Sequence, residues 1–369
     1  MAIKDLIDPK MILDSLPQGL YVCDTDRKIV YWNRSAERIT GWKAEEVVGH
    51  HCLDDILAHV NKDCQPLCGK ESCPLHRSIV TGAASGKPLV VLGLTKDRGR
   101  IPMEVSVSPI HDAQGQVVGG VEVFRDFSET YRDMERAKWV QTLSMNKTLP
   151  QDERLSFSSF YLAHDMIGGD YFAIQPLDAD RYGFLLADVM GHGTAAALYT
   201  MCLSLLWEQH YQEITSPKKF AGLLNQELSK AVKEESFAAA ICGVINLAEK
   251  TVRIASAGGP PILAIPAFGE MRTISFSGLP FGVFAKTDYE ETVFNYSSGD
   301  TLLMFTDGAF EIRDKCGKEL GISGLMEILK KMDYPNQPIA ENSLQEELLK
   351  YSNGIQLADD LTLLEVRFI

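Results

Sequence analysis

The chain has 369 residues, of which 45% are hydrophobic and 23% charged, a composition typical of a globular protein with two or three domains. Its formal net charge of −14 argues against a nucleic-acid partner, because binding to phosphates depends on clustered lysine and arginine. No stretch approaches the roughly 18 consecutive apolar residues of a membrane span. Met1 is not followed by a signal peptide, so we expect a cytoplasmic protein that does not contact a membrane.

The N-terminal third of the chain predicts a small α/β domain. A hairpin is indicated by a turn at Asp24–Lys28 between two apolar runs, and a short helix follows it. Three further strands alternate in PLVVLGLTK, IPMEVSVSPIHD and GQVVGGVEVFRDFSE. In this order, and with the spacing of Asn33, Gly41 and Gly49 and the closing RDFSE, residues 11–128 resemble a PAS sensor domain.

Four cysteines crowd into this region, with the spacing C-x11-C-x3-C-x4-C. Thiolates at this density suit a Zn²⁺ site or an iron–sulfur cluster, although the paired CxxC of standard zinc ribbons is missing. Redox-active thiols are a second interpretation, and reduced thiols without a special role are a third. The predicted cofactor-binding residues are Cys52, Cys64, Cys68 and Cys73.

A linker helix is predicted at residues 129–149, because SETYRDMERAKWVQTLSMNKTL has apolar residues near helical spacing and no glycine or proline. Pro150 ends it. The helix is either a linker packed on one domain or a signalling helix that forms a dimeric coiled coil, since its apolar repeat spans barely three heptads. A homodimer through the PAS domain and this helix is therefore one expectation.

Residues 150–369 predict a second domain, in which strand-like runs such as GFLLADV, AAICGVINL, TLLMFTD and LTLLEVRF alternate with helical segments. The clearest helices are at residues 194–208, 217–233, 323–331 and 338–351. Two pairs of helices and two sets of strands predict a sandwich of sheets flanked by helices. The fold class is therefore α+β.

Four aspartates in this domain stand beside apolar runs or glycines, in MIGGDYF, FLLADVMGHG, LLMFTDGAFE and LADDLTLLEV. A carboxylate at the edge of a core needs a partner, and no lysine or arginine accompanies these four. Mg²⁺ and Mn²⁺ prefer oxygen ligands, and two divalent ions would balance four carboxylates. A water between two such ions would have a lowered pKa and could attack phosphorus. The four residues are Asp170, Asp188, Asp307 and Asp359.

In this order, the four motifs resemble the PPM (protein phosphatase 2C) superfamily over residues 145–369, in particular its bacterial branch of stage II sporulation E and sigma-B regulator phosphatases. The resemblance implies an α-β-β-α sandwich and Mn²⁺- or Mg²⁺-dependent hydrolysis of phosphoserine or phosphothreonine. It also implies a phosphorylated STAS-domain anti-anti-sigma protein as the substrate.

Site residues follow from the same resemblance. Asp188 matches the acid that bridges both metals, with the Val189 carbonyl as a further ligand, and Asp307 and Asp359 match the downstream ligands. Asp188 and Asp307 are the predicted catalytic pair. Asp170 matches an acid near the metals or bound to them through water. Asp360 could share the role of Asp359, although Asp359 is the better match.

Some features depart from the family or have a second interpretation. Ala257-Gly258-Gly259-Pro260-Pro261 stands where the family often reads AGHPP, and Arg154 is a weak candidate for a phosphate-binding arginine. His192 is kept out of the catalytic set, because a loop role between glycines explains it equally well. The two helices that follow Asp188 resemble the switch helices of the family, whose position gates metal binding. A catalytically inactive PAS-linked scaffold that binds a partner is the alternative function.

Overall fold

The computed structural model of the chain describes residues 8–62, 64–69, 72–145, 148–191, 193–231, 236–337, 339, 343–352, 357 and 359–369. Its internal contacts divide it into two compact units, Met1–Asp133 and Met134–Ile369. Among the described residues, no helix is long and apolar enough to cross a membrane.

The N-terminal unit contains one five-stranded antiparallel sheet with the strand order β2-β1-β5-β4-β3. The predicted hairpin and the three later strands are confirmed. The elements are α1 (Pro9–Ser15), β1 (Gly19–Asp24), β2 (Ile29–Trp32), α2 (Arg34–Thr40), α3 (Ala44–Val47), α4 (Pro74–Thr81), β3 (Leu89–Leu94), β4 (Arg100–His111) and β5 (Val117–Asp126).

Two residues that support the PAS resemblance have clear local roles at the ends of α2. The Asn33 side chain accepts a hydrogen bond from the backbone N–H of Ala36 and so caps the first turn. Gly41 ends the helix in the left-handed region, with φ of 80°, where a side chain would be strained. The spacing of these two residues therefore fixes the length of α2.

The linker helix α5 covers Ser128–Met145, close to the prediction of 129–149. Residues 146 and 147 lie outside the described residues, and residues 148–150 are not helical. The boundary between the two units falls inside this helix. The domain limits 11–128, 129–149 and 150–369 remain predictions.

The C-terminal unit contains two five-stranded sheets, in the orders β13-β10-β9-β8-β7 and β12-β11-β14-β15-β6. Two of the predicted helices include residues outside the described ones: 232–233 in the helix at 217–233, and 338 and 340–342 in the helix at 338–351. The elements are β6 (Leu155–Leu162), β7 (Asp170–Pro176), β8 (Arg181–Val189), α6 (Thr194–His210), α7 (Pro217–Ala231), β9 (Ala238–Asn246), β10 (Thr251–Ala257), β11 (Ile262–Ile265), β12 (Arg272–Ile274), β13 (Thr292–Asn295), β14 (Thr301–Phe305), α8 (Gly321–Lys331), α9 (Ser343–Tyr351) and β15 (Leu361–Phe368).

The layers of this unit follow from strand alternation, as β8 shows. Phe184 and Leu186 point into the core between the two sheets, whereas Leu185 and Ala187 point toward α6 and α7. The other sheet packs its outer face against α8 and α9. The predicted α-β-β-α sandwich is therefore confirmed.

Candidate functional site

Asp170 and Asp188 lie opposite each other on the first sheet. Asp170 is the first residue of β7 and Asp188 the second-to-last of β8, and the antiparallel register pairs them directly. Residues paired in this way have Cβ atoms about 5 Å apart. Two acids that are 18 positions apart in the sequence thus become neighbours at one edge of the sandwich.

Asp307 and Asp359 come from the second sheet. Asp307 opens a short 3₁₀ turn, Asp307–Ala309, just after β14, and Asp359 precedes β15. Because β14 and β15 are antiparallel neighbours, the end of one lies beside the start of the other. All four predicted aspartates therefore stand at strand ends, and each sheet supplies two.

Hydrogen bonds tie Asp170 to the second sheet. Its Oδ2 atom accepts hydrogen bonds from Thr306 Oγ1 at 2.8 Å and Thr362 Oγ1 at 2.5 Å. The backbone N–H of Thr362 in turn donates to Thr306 Oγ1 at 3.0 Å. Asp170 is fully buried, and its Oδ1 atom has no hydrogen-bond partner. One oxygen of Asp170 thus anchors the two sheets and the other remains available.

Asp360 has a structural environment that differs from that of Asp359. Its carboxylate accepts hydrogen bonds from the backbone N–H groups of His164, at 2.7 Å, and Gly169, and it is 1% exposed. Asp359 is half-buried, and one of its oxygens accepts the N–H of Asp360 at 2.9 Å. Asp360 therefore holds the loop before Asp170, which leaves Asp359 as the acid with a freer carboxylate.

The electrostatics of the site show repulsion between like charges. Burial and then the charge of Asp170 raise the pKa of Asp188 from its ordinary value of 3.8 to about 9. Burial and then Asp359 raise the pKa of Asp307 to about 6. In the described part of the chain, each charge with a large effect on the pKa of Asp188 belongs to another carboxylate. The site therefore favours a cation.

The residues present fit hydrated divalent ions. Asp170 Oδ1 and Asp307 Oδ1 are buried and accept no hydrogen bond, which is costly unless a cation supplies the partner. Among the described residues, no three Cys, His, Asp or Glu side chains are arranged to hold one ion between them. Mg²⁺-type ions would not need such a set, because they take one or two carboxylates and keep several waters.

Close backbone approach at Gly169 shapes the site. A Cβ atom at this position would lie 2.9 Å from the Val189 carbonyl oxygen and 3.1 Å from that of Gly191. The N–H of Val189 also donates to the Gly169 carbonyl at 3.0 Å. Glycine is therefore required for the Val189 carbonyl to lie beside the Asp170 loop.

Gln141 of α5 holds the same loop, and the sequence prediction missed it. Its amide Nε2 donates to the Gly168 carbonyl at 2.7 Å and to Thr200 Oγ1 at 3.0 Å, while Oε1 accepts the Gly168 N–H at 3.2 Å. The side chain is 3% exposed. One buried amide thus joins the linker helix, the Asp170 loop and α6.

Arg154, the weak candidate for a phosphate-binding arginine, falls outside the site. Arg154 pairs with Asp152 and Asp180 at the opposite end of the β7–β8 hairpin, so it does not serve as a phosphate-binding arginine here. A side chain at Gly259, where the family often has histidine, would lie 2.8 Å from the Ala240 backbone. His192 lies outside the described residues.

His164 is a titratable group near the site that the sequence prediction did not single out. Its ring Nδ1 lies 3.3 Å from Asp165 Oδ1, and this carboxylate raises the pKa of the imidazole. Asp360 and Asp359 raise it further. The signal available in the sequence was its position in HDMIGGD, six residues before Asp170.

The N-terminal unit does not support the prediction of a four-cysteine cofactor site. Cys52, Cys68 and Cys73 come together, but Cys64 is exposed and takes no part in their contacts. Among the described residues no set of thiols is arranged to hold a metal ion. A four-cysteine Zn²⁺ site or iron–sulfur cluster is therefore not supported. The spacing alone could not show that Cys64 points away.

Comparisons with known proteins add to this geometry. Residues 178–369 match the family model Stage II sporulation protein E (SpoIIE), and residues 13–132 match the PAS fold. The chain is 29% identical over 224 residues to "Phosphoserine phosphatase RsbP" of Bacillus subtilis, covering 60% of this chain and 53% of that protein. It is 24% identical over 240 residues to "Phosphoserine phosphatase RsbU" of the same organism, covering 65% and 71%. The chain thus spans about half the length of the first of these relatives.

Solved structures with low sequence identity support the fold. The SiaA-PP2C domain of Pseudomonas aeruginosa superposes with a TM-score of 0.56 at 20% identity, covering 65% of this chain and 98% of that one. The PP2C phosphatase domain of SpoIIE from Bacillus subtilis, with a fragment of its regulatory domain, gives a TM-score of 0.50 at 19% identity, covering 77% and 80%. Because the family model covers just over half of the residues, the chain belongs to the Stage II sporulation protein E (SpoIIE) family and carries a PAS fold ahead of its PP2C-like domain.

Proposed function

We propose that the chain is a metal-dependent protein serine/threonine phosphatase whose activity is controlled by its PAS domain. The observation that carries the proposal is the set of four carboxylates at one edge of the sandwich, two from each sheet, with buried oxygens that lack partners. Two relatives bear the name phosphoserine phosphatase. The intact acid set argues against an inactive scaffold.

The proposed ligands of two Mn²⁺ or Mg²⁺ ions are Asp188, Asp307, Asp359 and the Val189 carbonyl, with Asp170 close by. When bound, such ions supply a water of lowered pKa as the nucleophile for a phosphate ester. Asp170 is held by Thr306 and Thr362, so its one unpartnered oxygen is fixed in position. Gly168 and Gly169 leave no room for a side chain, because a Cβ atom would clash with the Tyr161 hydroxyl at the first position and with the Val189 carbonyl at the second.

The proposed substrate is a phosphorylated STAS-domain protein, as in the family that the motifs resemble. The test is Mn²⁺-dependent release of phosphate from a phosphoserine STAS protein by the full chain, with the same protein carrying phosphothreonine and free phosphoserine as comparisons. We expect release from the phosphoprotein that stops on chelation. Binding of the phosphoprotein without any release, with Mn²⁺ present, would instead support the scaffold.

A homodimer is part of this proposal. Trp139 and Leu143 on α5 are 65% and 58% exposed, and they lie one helical turn apart on one face. An exposed tryptophan and leucine on a helix suit packing against a second copy. A dimer through this helix would give the PAS domain a route to the phosphatase domain.

The different surroundings of Asp359 and Asp360 support different proposed roles for the two acids. We expect Asp359→Asn to weaken Mn²⁺ binding by about tenfold or more, because it removes a ligand charge, with little loss of thermal stability. Asp360→Asn leaves only one good acceptor for the N–H groups of His164 and Gly169, so it should mainly lower the melting temperature. Calorimetric Mn²⁺ titration and thermal unfolding of both variants measure this. The reverse pattern would make Asp360 the ligand.

A further inference from the structure

Three thiols meet in the core of the N-terminal unit. The Cys68 thiol is hydrogen-bonded to the thiols of both Cys52 and Cys73. Cys52 and Cys73 are each 4% exposed, whereas Cys68 is partly exposed. The backbone N–H of His59 also donates to Cys68 Sγ at 3.1 Å. We call Cys52, Cys68 and Cys73 the thiol cluster.

Cys73 has the surroundings of a reactive thiolate. It directly precedes α4, whose first residue is Pro74. The Cys68 hydrogen bond lowers the pKa of Cys73 to about 5, and the backbone N–H groups of His76 and Leu75 and the charge of Arg27 act in the same direction. Thiols at helix N-termini and near cations are commonly ionised at neutral pH, and the thiolate is the nucleophilic form.

Cys68 is the protonated thiol beside Cys73. Its hydrogen bonds to Cys52 and Cys73 raise its pKa, so it remains a thiol and donates its proton to the neighbouring sulfur. A thiolate in contact with a protonated thiol is the arrangement in which a sulfenic acid is resolved to a disulfide. Because Cys68 is partly exposed, a small oxidant can reach the thiol cluster from its side.

Metal binding would be the other use of clustered thiols. The fourth cysteine of the motif, Cys64, is exposed and is not among the partners of Cys68, so a four-thiolate site is incomplete. Oxidation needs only two sulfurs in contact, which the thiol cluster already provides. The geometry therefore favours redox chemistry.

We propose that Cys73 and Cys68 form a peroxide-oxidised dithiol site in the PAS domain. The Cys73 thiolate attacks one oxygen of hydrogen peroxide, the O–O bond breaks, and hydroxide leaves, which gives Cys73 sulfenic acid. The Cys68 sulfur then displaces the sulfenic oxygen as water and forms the Cys68–Cys73 disulfide. In total, two thiols lose two electrons and two protons to one peroxide, which becomes two waters.

The assignment of Cys73 over Cys52 rests on their surroundings. Cys68 contacts both, but it can form a disulfide with only one. Cys52 and Cys73 are equally buried in the same core, and the feature that distinguishes Cys73 is its place at the N-terminus of α4. The resolved disulfide would link the loop before α4 to the start of that helix. Leu75 and Ile79 of α4 pack against Gly120 of β5, and β5 leads into the linker helix.

The test is disulfide mapping in the full chain. The reduced protein is treated with hydrogen peroxide, the remaining thiols are alkylated, and trypsin is applied without reductant. Cleavage after Lys62, Lys70 and Arg77 places Cys68 in residues 63–70 and Cys73 in residues 71–77. We expect these two peptides to be joined by a disulfide in most molecules, and the link to disappear on reduction. No phosphatase assay is involved, so the result stands apart from the proposed function.

Cys64→Ser is the matched control, since Cys64 lies in the same tryptic peptide as Cys68 but is exposed. This variant should keep the link. Cys68→Ser should lose it and leave a sulfenic acid at Cys73 that dimedone labels. A Cys52–Cys68 link, a link that Cys64→Ser abolishes, or no link after peroxide would overturn the proposal. So would stoichiometric zinc or iron in the purified wild-type protein that Cys68→Ser loses.

Discussion

Replacing Asp188 by asparagine is expected to lower the Mn²⁺-dependent phosphatase activity by more than about 100-fold, since it removes the acid at the centre of the proposed metal site. The side chain keeps its size, so the fold should be unaffected. Asp188 is paired directly with Asp170 and lies near Asp307, so its carboxylate is a neighbour of acids from both sheets. Phosphate release from a phosphoserine protein over a range of Mn²⁺ concentrations measures the effect.

The same substitution should make the metal-free protein more stable. The pKa of Asp188 is raised from 3.8 to about 9, so the folded protein holds a proton that the unfolded chain releases. Stability of the metal-free wild type therefore falls as the pH rises through this window, and Asp188→Asn should flatten that dependence. Thermal unfolding in chelator between about pH 5 and pH 8 tests the sign.

Two comparisons make these results specific. Asp307→Asn should behave like Asp188→Asn in activity. Asp288→Asn, at an exposed aspartate of the same domain, should match the wild type in both assays. Full activity of Asp188→Asn at saturating Mn²⁺ would contradict the metal site. An unchanged pH dependence of unfolding in the same variant would contradict the raised pKa of Asp188, which burial and then the charge of Asp170 cause in the metal-free protein.

The sequence predicted the composition of the site but not its construction. The order of the four motifs named the aspartates, and each aspartate does lie at a strand end. That Asp170 and Asp188 face each other depends on the register of β7 and β8, which the spacing of the two motifs does not reveal. The separate role of Asp360 depends on N–H groups nearly 200 positions away in the chain.

The misses have the same physical origin. Gln141 stands next to Thr142 in a largely polar helix, and only the fold shows that the first is buried and the second exposed. Thr306 and Thr362 lie inside motifs that were noted for their acids, although their hydroxyls hold Asp170. In the N-terminal unit, the fold brings three of the four cysteines together, which their spacing does not reveal. Contacts between residues far apart in the chain decide the role of each of these side chains, and the local sequence pattern does not reveal such contacts.

Replacing Gln141 by alanine is the second substitution with a large expected effect. It leaves the buried N–H and carbonyl of Gly168 without partners, and each such group costs about 1–3 kcal/mol. The loop that carries Asp170 should lose its fixed position. We expect a clear drop in the melting temperature, a Mn²⁺ affinity lower by about tenfold and a corresponding fall in activity. Thermal unfolding, Mn²⁺ titration and phosphate release measure the three effects.

Matched variants separate this role from general damage to the helix. Thr142→Ala truncates the neighbouring exposed side chain, so it should leave Mn²⁺ affinity and activity unchanged and at most slightly raise the melting temperature, since alanine is the better helix former. Thr200→Val removes the α6 partner of Gln141, together with the bond that the Thr200 hydroxyl donates to the Ala197 carbonyl, but it keeps both Gly168 hydrogen bonds, so it should cost much less. If Gln141→Ala and Thr142→Ala behave alike, the amide does not position the site. If Thr200→Val matches Gln141→Ala, the effect passes through α6 and the Asp170 loop is not the element that Gln141 controls.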